Sequence, residues 1–270
     1  MAEGWMTAAG RLIDAVGTRE FGKCLAAALR TVAPYDFTVV FGYAGTARPL
    51  DLYDDFPPGR RLLHVEEYQA GPYLLDPFFL VTNDDTRPGL WRIRDIAPDR
   101  FHQGEYWRSY YAQTGLAEEI GYLIEVAPGL KLIVSLMRRE KRFSNAEVRA
   151  LAAIWPVIEA ACRKNWQNAA PRTGDAHLGI AERIEHTFQR IGEGTLTPRE
   201  RQVVELTLRG HSAEAIGTML DISPGTVRIH RRNIYAKLRI SSQGELFSIF
   251  INAMLGNAGT PDAPRATAAQ

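Results

Sequence analysis

The chain has 270 residues, 46% hydrophobic and 23% charged, close to the average of soluble globular proteins, which excludes a disordered chain, a coiled-coil rod and a collagen-like repeat. Its 32 Lys and Arg against 31 Asp and Glu leave a net charge of +1. That balance argues against a protein coated in nucleic acid along its whole length and leaves room for one basic face. At roughly 150 residues per domain, the length predicts two domains.

The start, Met1-Ala-Glu-Gly-Trp5, has neither the basic stretch nor the apolar core of a signal peptide. The longest apolar run, Leu151 to Cys162, falls short of the roughly 20 residues a membrane span needs, and Pro156 and Glu159 interrupt it. A cytoplasmic protein without membrane association is expected. A helix is predicted from about Thr7 to Thr31, with Leu12, Val16, Leu25 and Leu29 inward. Phe37 to Tyr43 is β-branched and aromatic, hence a strand, and Ile120 to Val126 and Lys131 to Met137 flank the turn Ala127-Pro-Gly-Leu130 as a hairpin. The capping box Ser144-Asn-Ala-Glu147 opens a helix reaching about Arg163. Strands in mid-chain with helices at both ends predict an α+β domain over residues 1–165, an antiparallel sheet flanked by helices. Cys24 and Cys162 both sit in apolar helical surroundings and read as two buried free thiols. Zinc spacing is absent, so neither metal nor cofactor is expected.

Two breaks follow, WQNAAPRTGDA over 166–176 and GEGT over 192–195. Ile180, Ile184, Phe188 and Ile191 recur between them at helical spacing, so residues 166–195 read as a linker with a short helix. Residues 196–256 are predicted as an all-α, four-helix unit, and the small, polar residues 257–270 as a disordered tail. Thr197-Pro-Arg-Glu200 is a capping box with proline at the first helical position. Ser212 caps a second, short helix, Asp221-Ile222 turns, and Ser223-Pro224 opens a third. Short helix, tight turn and longer helix form a helix-turn-helix.

Around the third helix, Val227, Ile234 and Leu238 share a buried side. Ile229, Arg232 and Asn233 lie opposite, flanked by Thr226 and Arg228. Residues 224–239 hold five basic residues and no acidic one. Across 196–255 eight basic residues stand against five acidic, a net of +3 that leaves −2 for the rest. A locally basic helix on a neutral protein is the footprint of DNA binding. In the major groove, Arg228 and Arg232 offer paired donors to guanine and Ile229 suits a thymine methyl, with Asn233 on the same face. Thr226, Arg231 and Lys237 are placed for phosphates. A fourth helix opens at Ser242-Gln-Gly-Glu245, and its Leu246, Ile249 and Phe250 form either a dimer contact or core packing.

Leu196-Thr-Pro-Arg-Glu-Arg, Ile222-Ser-Pro-Gly-Thr-Val-Arg-Ile-His230 and Asn233-Ile-Tyr-Ala-Lys-Leu238 resemble the DNA-binding domain of LuxR-type bacterial transcription regulators over about sixty residues. The resemblance implies a four-helix module that binds pseudo-palindromic double-stranded DNA as a homodimer. Asp221, where the family often has glycine, and Gly244 depart from the pattern.

The first domain resembles the autoinducer-binding domain of acyl-homoserine-lactone receptors. Asp76-Pro77 is similar to that family's Asp-Pro pair, whose carboxylate accepts the ligand amide, and Trp91 falls fifteen residues later, where the family packs a tryptophan on the lactone. Leu63 and Glu67 stand at the family's upstream aromatic positions, with Tyr68 and Tyr73 near, and Glu119 stands at a usual glycine. Tyr68, Tyr73, Asp76, Trp91 and Glu119 are the candidate ligand residues implied. A receiver domain is a second reading: Asp51 to Gly59, with Asp54 before Pro58, is similar to a phosphoacceptor loop. The strand before it lacks the acidic pair that would hold magnesium.

The resulting expectation is a dimeric, quorum-sensing-type regulator that couples a small-molecule ligand, an acyl-homoserine lactone or a re-purposed one, to DNA binding. A ligand-independent regulator controlled by a partner protein is the alternative. No catalytic constellation stands out, and His64, His102 and His186 have no evident partners in sequence.

Overall fold

The structure, a computed structural model, describes residues 2–45, 47–69, 72–104, 106–169 and 191–254. The chain divides into two compact units, Met1–Gly179 and Ile180–Gln270. Ile180, Ile184 and Phe188 of the expected linker helix, and the expected tail, lie outside the described residues.

The first unit begins with two helices where one is predicted. α1 (Ala2–Asp14) ends before Gly17, which takes φ +82° and donates its N–H to Asn165 Oδ1 at 2.7 Å, and α2 (Phe21–Val32) starts anew. A left-handed glycine stops a helix at little cost, and the apolar spacing that carries on across the break hides it. Leu12, Leu25 and Leu29 are buried and Val16 half-buried.

β1 (Phe37–Tyr43) forms as read. β2 (Leu50–Asp54), the short helix α3 (Pro77–Thr82) and β3 (Gly89–Arg92) come next, then β4 (Glu118–Ala127) and β5 (Leu130–Arg138), joined through the turn where Gly129 takes φ +77°. The five strands pair antiparallel in the order β2-β1-β5-β4-β3. This excludes a receiver domain, whose sheet is parallel and doubly wound. Asp51 and Asp54, on β2, are instead ion-paired to Arg61, Asp54 at 2.9 Å.

The predicted C-terminal helix of this unit is two. α4 (Asn145–Ala153), opened by the Ser144–Glu147 capping box, stops at Ile154, and α5 (Trp155–Trp166) follows with Pro156 in its first turn. Proline has no N–H for the ladder and crowds the preceding turn.

Strand alternation sorts the sheet into two faces. Val40 of β1, Ile120, Tyr122 and Ile124 of β4, and Leu132, Val134 and Leu136 of β5 join Leu12, Leu25, Leu29, Leu151, Ile158 and Trp166 in one helix-covered core. Val39, Phe41 and Tyr43, Glu119, Ser135 and Met137 take the other face. Gly121 is needed there, because a Cβ on it would stand 2.7 Å from the Phe78 ring.

The second unit is helical. The GEGT break bends through Gly192 and Gly194, both left-handed. α6 (Pro198–Leu208) opens on the Thr197–Glu200 capping box, α7 (Ala213–Leu220) on Ser212 and α8 (Pro224–Leu238) on Ser223, while α9 (Gln243–Met254) follows Ser242, whose hydroxyl accepts the Glu245 N–H at 3.2 Å. Val203, Val204, Leu208, Ile216, Val227, Ile234, Leu246 and Phe250 are its core. Asp221 ends α7 at φ +52°, a conformation that favours the family's glycine.

Candidate functional site

In the first unit, the sheet face opposite the helices opens into a cavity. The recess is narrow: its enclosed volume is about 20 Å³, the room of one water, and only with the open mouth and the solvent in it does the space reach about 380 Å³, so a larger guest has to part the side chains that line it. β1 lends Val39, Phe41 and Tyr43; the turn Leu62–Glu67 lends His64, and Tyr68 follows it; Tyr106 and the turn Trp107–Tyr111 lend three phenols, Tyr106, Tyr110 and Tyr111. Asp76 and Phe78 enter at the start of α3, Leu116 before β4, Glu119 from β4, and Ser135 and Met137 from β5.

Asp76 caps α3: its Oδ1 accepts the Phe78 N–H at 2.9 Å, and Pro77 fills the first helical position. Its Oδ2 accepts the Tyr68 hydroxyl at 2.6 Å. Since that proton is committed to the carboxylate, the Tyr43 hydroxyl, 2.8 Å away, donates to the Tyr68 oxygen. A directed chain, Tyr43 to Tyr68 to Asp76, results. Burial raises the Asp76 carboxyl above its usual range, opposed by the bonds from Tyr68 and Phe78. Burial also raises Glu119, with the Asp76 charge adding and the Ser135 hydroxyl opposing. Two carboxylates in one apolar recess cannot both ionise freely. The His64 imidazole stacks on Phe56 at 4.4 Å, its Nε2 makes no hydrogen bond, and burial, helped by Arg60, lowers it to about 4.

Of the five ligand candidates, Tyr68, Asp76 and Glu119 meet in this cavity. Tyr73 is buried behind it, its ring 6.1 Å from Tyr68 and 5.2 Å from Phe79. Trp91 is a correction. It sits half-buried on the edge strand β3, its indole N–H closes onto the Arg87 carbonyl at 3.0 Å, and it does not line the cavity. Spacing along the chain places the residue on the sheet but says nothing of which way an edge indole turns. The reading missed Tyr43, His64, Tyr110, Tyr111, Ser135 and Met137. Period-2 alternation would have linked Tyr43 with Val39 and Phe41, and Glu119 with the far face of β4.

In the second unit, α8 presents Ile229, Arg232 and Asn233 to solvent. Ile229 is 52% exposed, and Arg232 and Asn233 make no hydrogen bond or ion pair among the described residues. Arg228 is exposed but ion-paired to Glu214 of α7. The three residues assigned to phosphates all have partners within the unit. The Thr226 hydroxyl bonds Ser223 Oγ, Arg231 bonds Tyr235 and Gln243, and Lys237 bonds the buried Glu200 at 2.7 Å. Against the burial that would raise it, the Lys237 ammonium and the Thr197 N–H hold the Glu200 carboxyl below its usual range. Ser223 and Tyr235 belong to α8 and its cap, whereas Gln243 and Glu200 come from neighbouring helices that a helical wheel of α8 alone does not include. Leu246 and Phe250 are each 1% exposed, so they belong to the unit's own core, and Ile249 is half-buried.

The described residues contain no helix long and apolar enough to cross a membrane and no group of three or more His, Cys, Asp or Glu placed to hold a metal. Cys24 and Cys162 are free thiols.

A mixed sheet-and-helix unit with a recess, followed by a helix-turn-helix unit with an exposed basic helix, defines a DNA-binding regulator with a sensor-type domain. Residues 194–250 match the bacterial regulatory proteins of the luxR family. A protein from the exeN 3′ region of Aeromonas salmonicida, named as an HTH-type transcriptional regulator, is 34% identical over 197 residues, 69% of this chain and 100% of that one. A second relative so named, Mb0914c of Mycobacterium bovis, is 32% identical over 140 residues, 49% of this chain but 16% of that one. The crystal structure of the VqsR LBD domain from Pseudomonas aeruginosa aligns with a TM-score of 0.52 and 27% identity over 60% of this chain and 95% of that one. The chain belongs to the LuxR family of transcriptional regulators.

Proposed function

We propose that this regulator binds a small organic molecule in the cavity of its first unit and, as a homodimer in the cytoplasm, a two-fold-related DNA site through its second. Residues 1–165 serve as the sensor, 166–195 as the joint and 196–256 as the DNA reader. The observation that carries the reading is the Tyr43–Tyr68–Asp76 chain, a buried, directed set of polar groups facing a recess within a sensor-type fold. A concave apolar site with a few polar anchors is how small molecules are held. Tyr68, Asp76 and Glu119 supply the anchors, with Tyr73 behind them. Ligand shifts a pre-existing equilibrium towards the arrangement that fits DNA, in proportion to its differential affinity for the two states.

On α8, the free Arg232, Asn233 and Ile229 suit base edges. Arg228 reaches DNA on parting from Glu214, an exposed pair that is cheap to break. Thr226, Arg231 and Lys237 then act as much by fixing α8 as by touching phosphates. Of the dimer candidates, Ile249 is the one still open to a partner.

The test is fluorescence anisotropy of the full chain on its selected DNA site, with melting scans against acyl-homoserine lactones, amines and a metabolite panel. Arg232→Ala is expected to weaken specific binding by about five- to 150-fold, in keeping with about 1–3 kcal/mol for a base contact. Undiminished binding would remove Arg232 from the reading face. Asp76→Asn keeps an oxygen to cap α3 but leaves Tyr68 without its carboxylate, and is expected to abolish the ligand-induced rise in melting temperature.

A further inference from the structure

The chemistry of the cavity narrows the ligand class, an inference resting on the small-molecule reading above. Asp76 enters from the start of α3 and Glu119 from β4, and neither Lys nor Arg is among the residues lining the space. Asp76 is already engaged by the Tyr68 hydroxyl and the Phe78 N–H. Glu119 has the Ser135 and Tyr111 hydroxyls, both neutral donors. Its neighbour Glu118 points to the other side of the strand, where Arg92 holds it in two hydrogen bonds of 2.8 and 2.9 Å and the Phe143 N–H adds a third at 2.6 Å. Two adjacent buried carboxylates therefore differ in one respect: Glu118 has its cation and Glu119 does not. A second polar group in the recess is also open to a ligand. His64 is 3% exposed, lines the cavity, and leaves Nε2 without a hydrogen-bond partner. A buried polar atom left unpaired costs free energy unless a ligand completes it. Around these groups stand phenol rings, Tyr110 lying 6.0 Å from Tyr68 and 5.6 Å from Tyr106, and an aromatic face attracts a cation.

We propose that the cavity selects a small organic ammonium compound, with Glu119 accepting its N–H groups and the tyrosine and Phe78 rings holding its apolar part. Glu119 is then the residue that sets specificity by charge. The titratable groups that share the recess with it are Asp76, the phenols of Tyr43, Tyr68, Tyr106, Tyr110 and Tyr111, and the His64 imidazole, which burial holds neutral. Burial raises the phenols, so they stay neutral, and raises both carboxyls, so the empty site retains a proton. When R–NH₃⁺ enters, the carboxyl O–H gives its proton to solvent and the carboxylate pairs with the intact ammonium. Protons, up to one per ligand, leave the Asp76–Glu119 pair on binding.

Isothermal titration calorimetry of the full chain at pH 7.5 tests this with 2-phenylethylamine, its neutral counterpart 2-phenylethanol, 3-phenylpropanoate and N-octanoyl homoserine lactone. The amine is expected to bind at least tenfold tighter than the alcohol and the carboxylate not at all. Its binding enthalpy should vary with the ionisation enthalpy of the buffer in the sense of proton release, a readout that needs no variant. Glu119→Gln should bring the amine to within threefold of the alcohol and remove the buffer dependence of the amine's binding enthalpy. Alcohol or lactone binding as tightly as the amine overturns the ammonium preference while the small-molecule reading stands. Amine binding without proton release, and indifferent to Glu119→Gln, removes Glu119 from its role. Silence from all four probes overturns both this inference and the reading beneath it.

Discussion

Asp76 does structural and site duty with separate atoms: Oδ1 caps a helix and Oδ2 ends a hydroxyl chain in the cavity. A carboxylate before proline is explained by the cap alone, which is why sequence leaves its second role open. Glu119 caps no helix and bonds only neutral hydroxyls, those of Ser135 and Tyr111, and its raised carboxyl bears on stability. A group whose folded-state pKa is raised contributes stability that is complete below its unfolded value, near 4.5 for this glutamate, and lost as pH climbs through the folded value. The stability of the first unit should therefore fall between pH 5 and 8 by up to about 1.4 kcal/mol per pH unit from this site, and Glu119→Gln should flatten that slope. The five tryptophans all lie in the first unit, so urea unfolding followed by tryptophan fluorescence reads it selectively. Parallel pH profiles for wild type and Glu119→Gln would show that the carboxyl is not held protonated.

Local signals carried most of the element-scale architecture, because they rest on chemistry within four residues. The boxes at Ser144 and Thr197, the Ser212 and Ser223 caps and the first strand all form where the sequence places them. What stayed hidden depends on residues far apart in sequence. Gly17 breaks the first helix with its N–H on Asn165, 148 residues away. The edge strands β2 and β3, five and four residues long, are too short for a period to show. The recess gathers side chains from β1, α3, β4, β5 and the turns between them, so most of its lining was unreadable one segment at a time. The helix-turn-helix has a similar long-range constraint in Gly217. A Cβ there would stand 2.7 Å from the Ile222 carbonyl oxygen, which is backbone and has little freedom to yield, while the Gly217 carbonyl accepts the Ile222 N–H at 2.9 Å. Gly217→Ala is expected to destabilise the second unit by about 1–3 kcal/mol, as overpacking does, and to weaken DNA binding with it. Circular dichroism melts at 222 nm compare the two proteins, and an unchanged second-unit melt would mean that the turn opens freely.

At the scale of the whole molecule, two cores with separate residue sets imply two cooperative transitions. The core of the first unit is Leu12, Leu25, Leu29, the three central strands and Trp166; that of the second is Val203, Ile216, Val227, Ile234 and Phe250. Differential scanning calorimetry of the full chain should resolve both, and variants assign them. Arg92→Ala leaves the Glu118 carboxylate buried at 4% exposure with only the half-exposed Arg94, 3.9 Å away, as a cation, a loss of up to about 3–5 kcal/mol, and should lower only the transition that tryptophan fluorescence also reports. Gly217→Ala should lower only the other. A bound small molecule at a hundred times its dissociation constant adds about 2.7 kcal/mol, and since the Asp76–Glu119 recess lies wholly in the first unit, that gain should appear in the first transition. If ligand raised both transitions equally while each variant still moved only its own, stability would be passing from sensor to reader, and the coupling that a regulator requires would be visible in the absence of DNA.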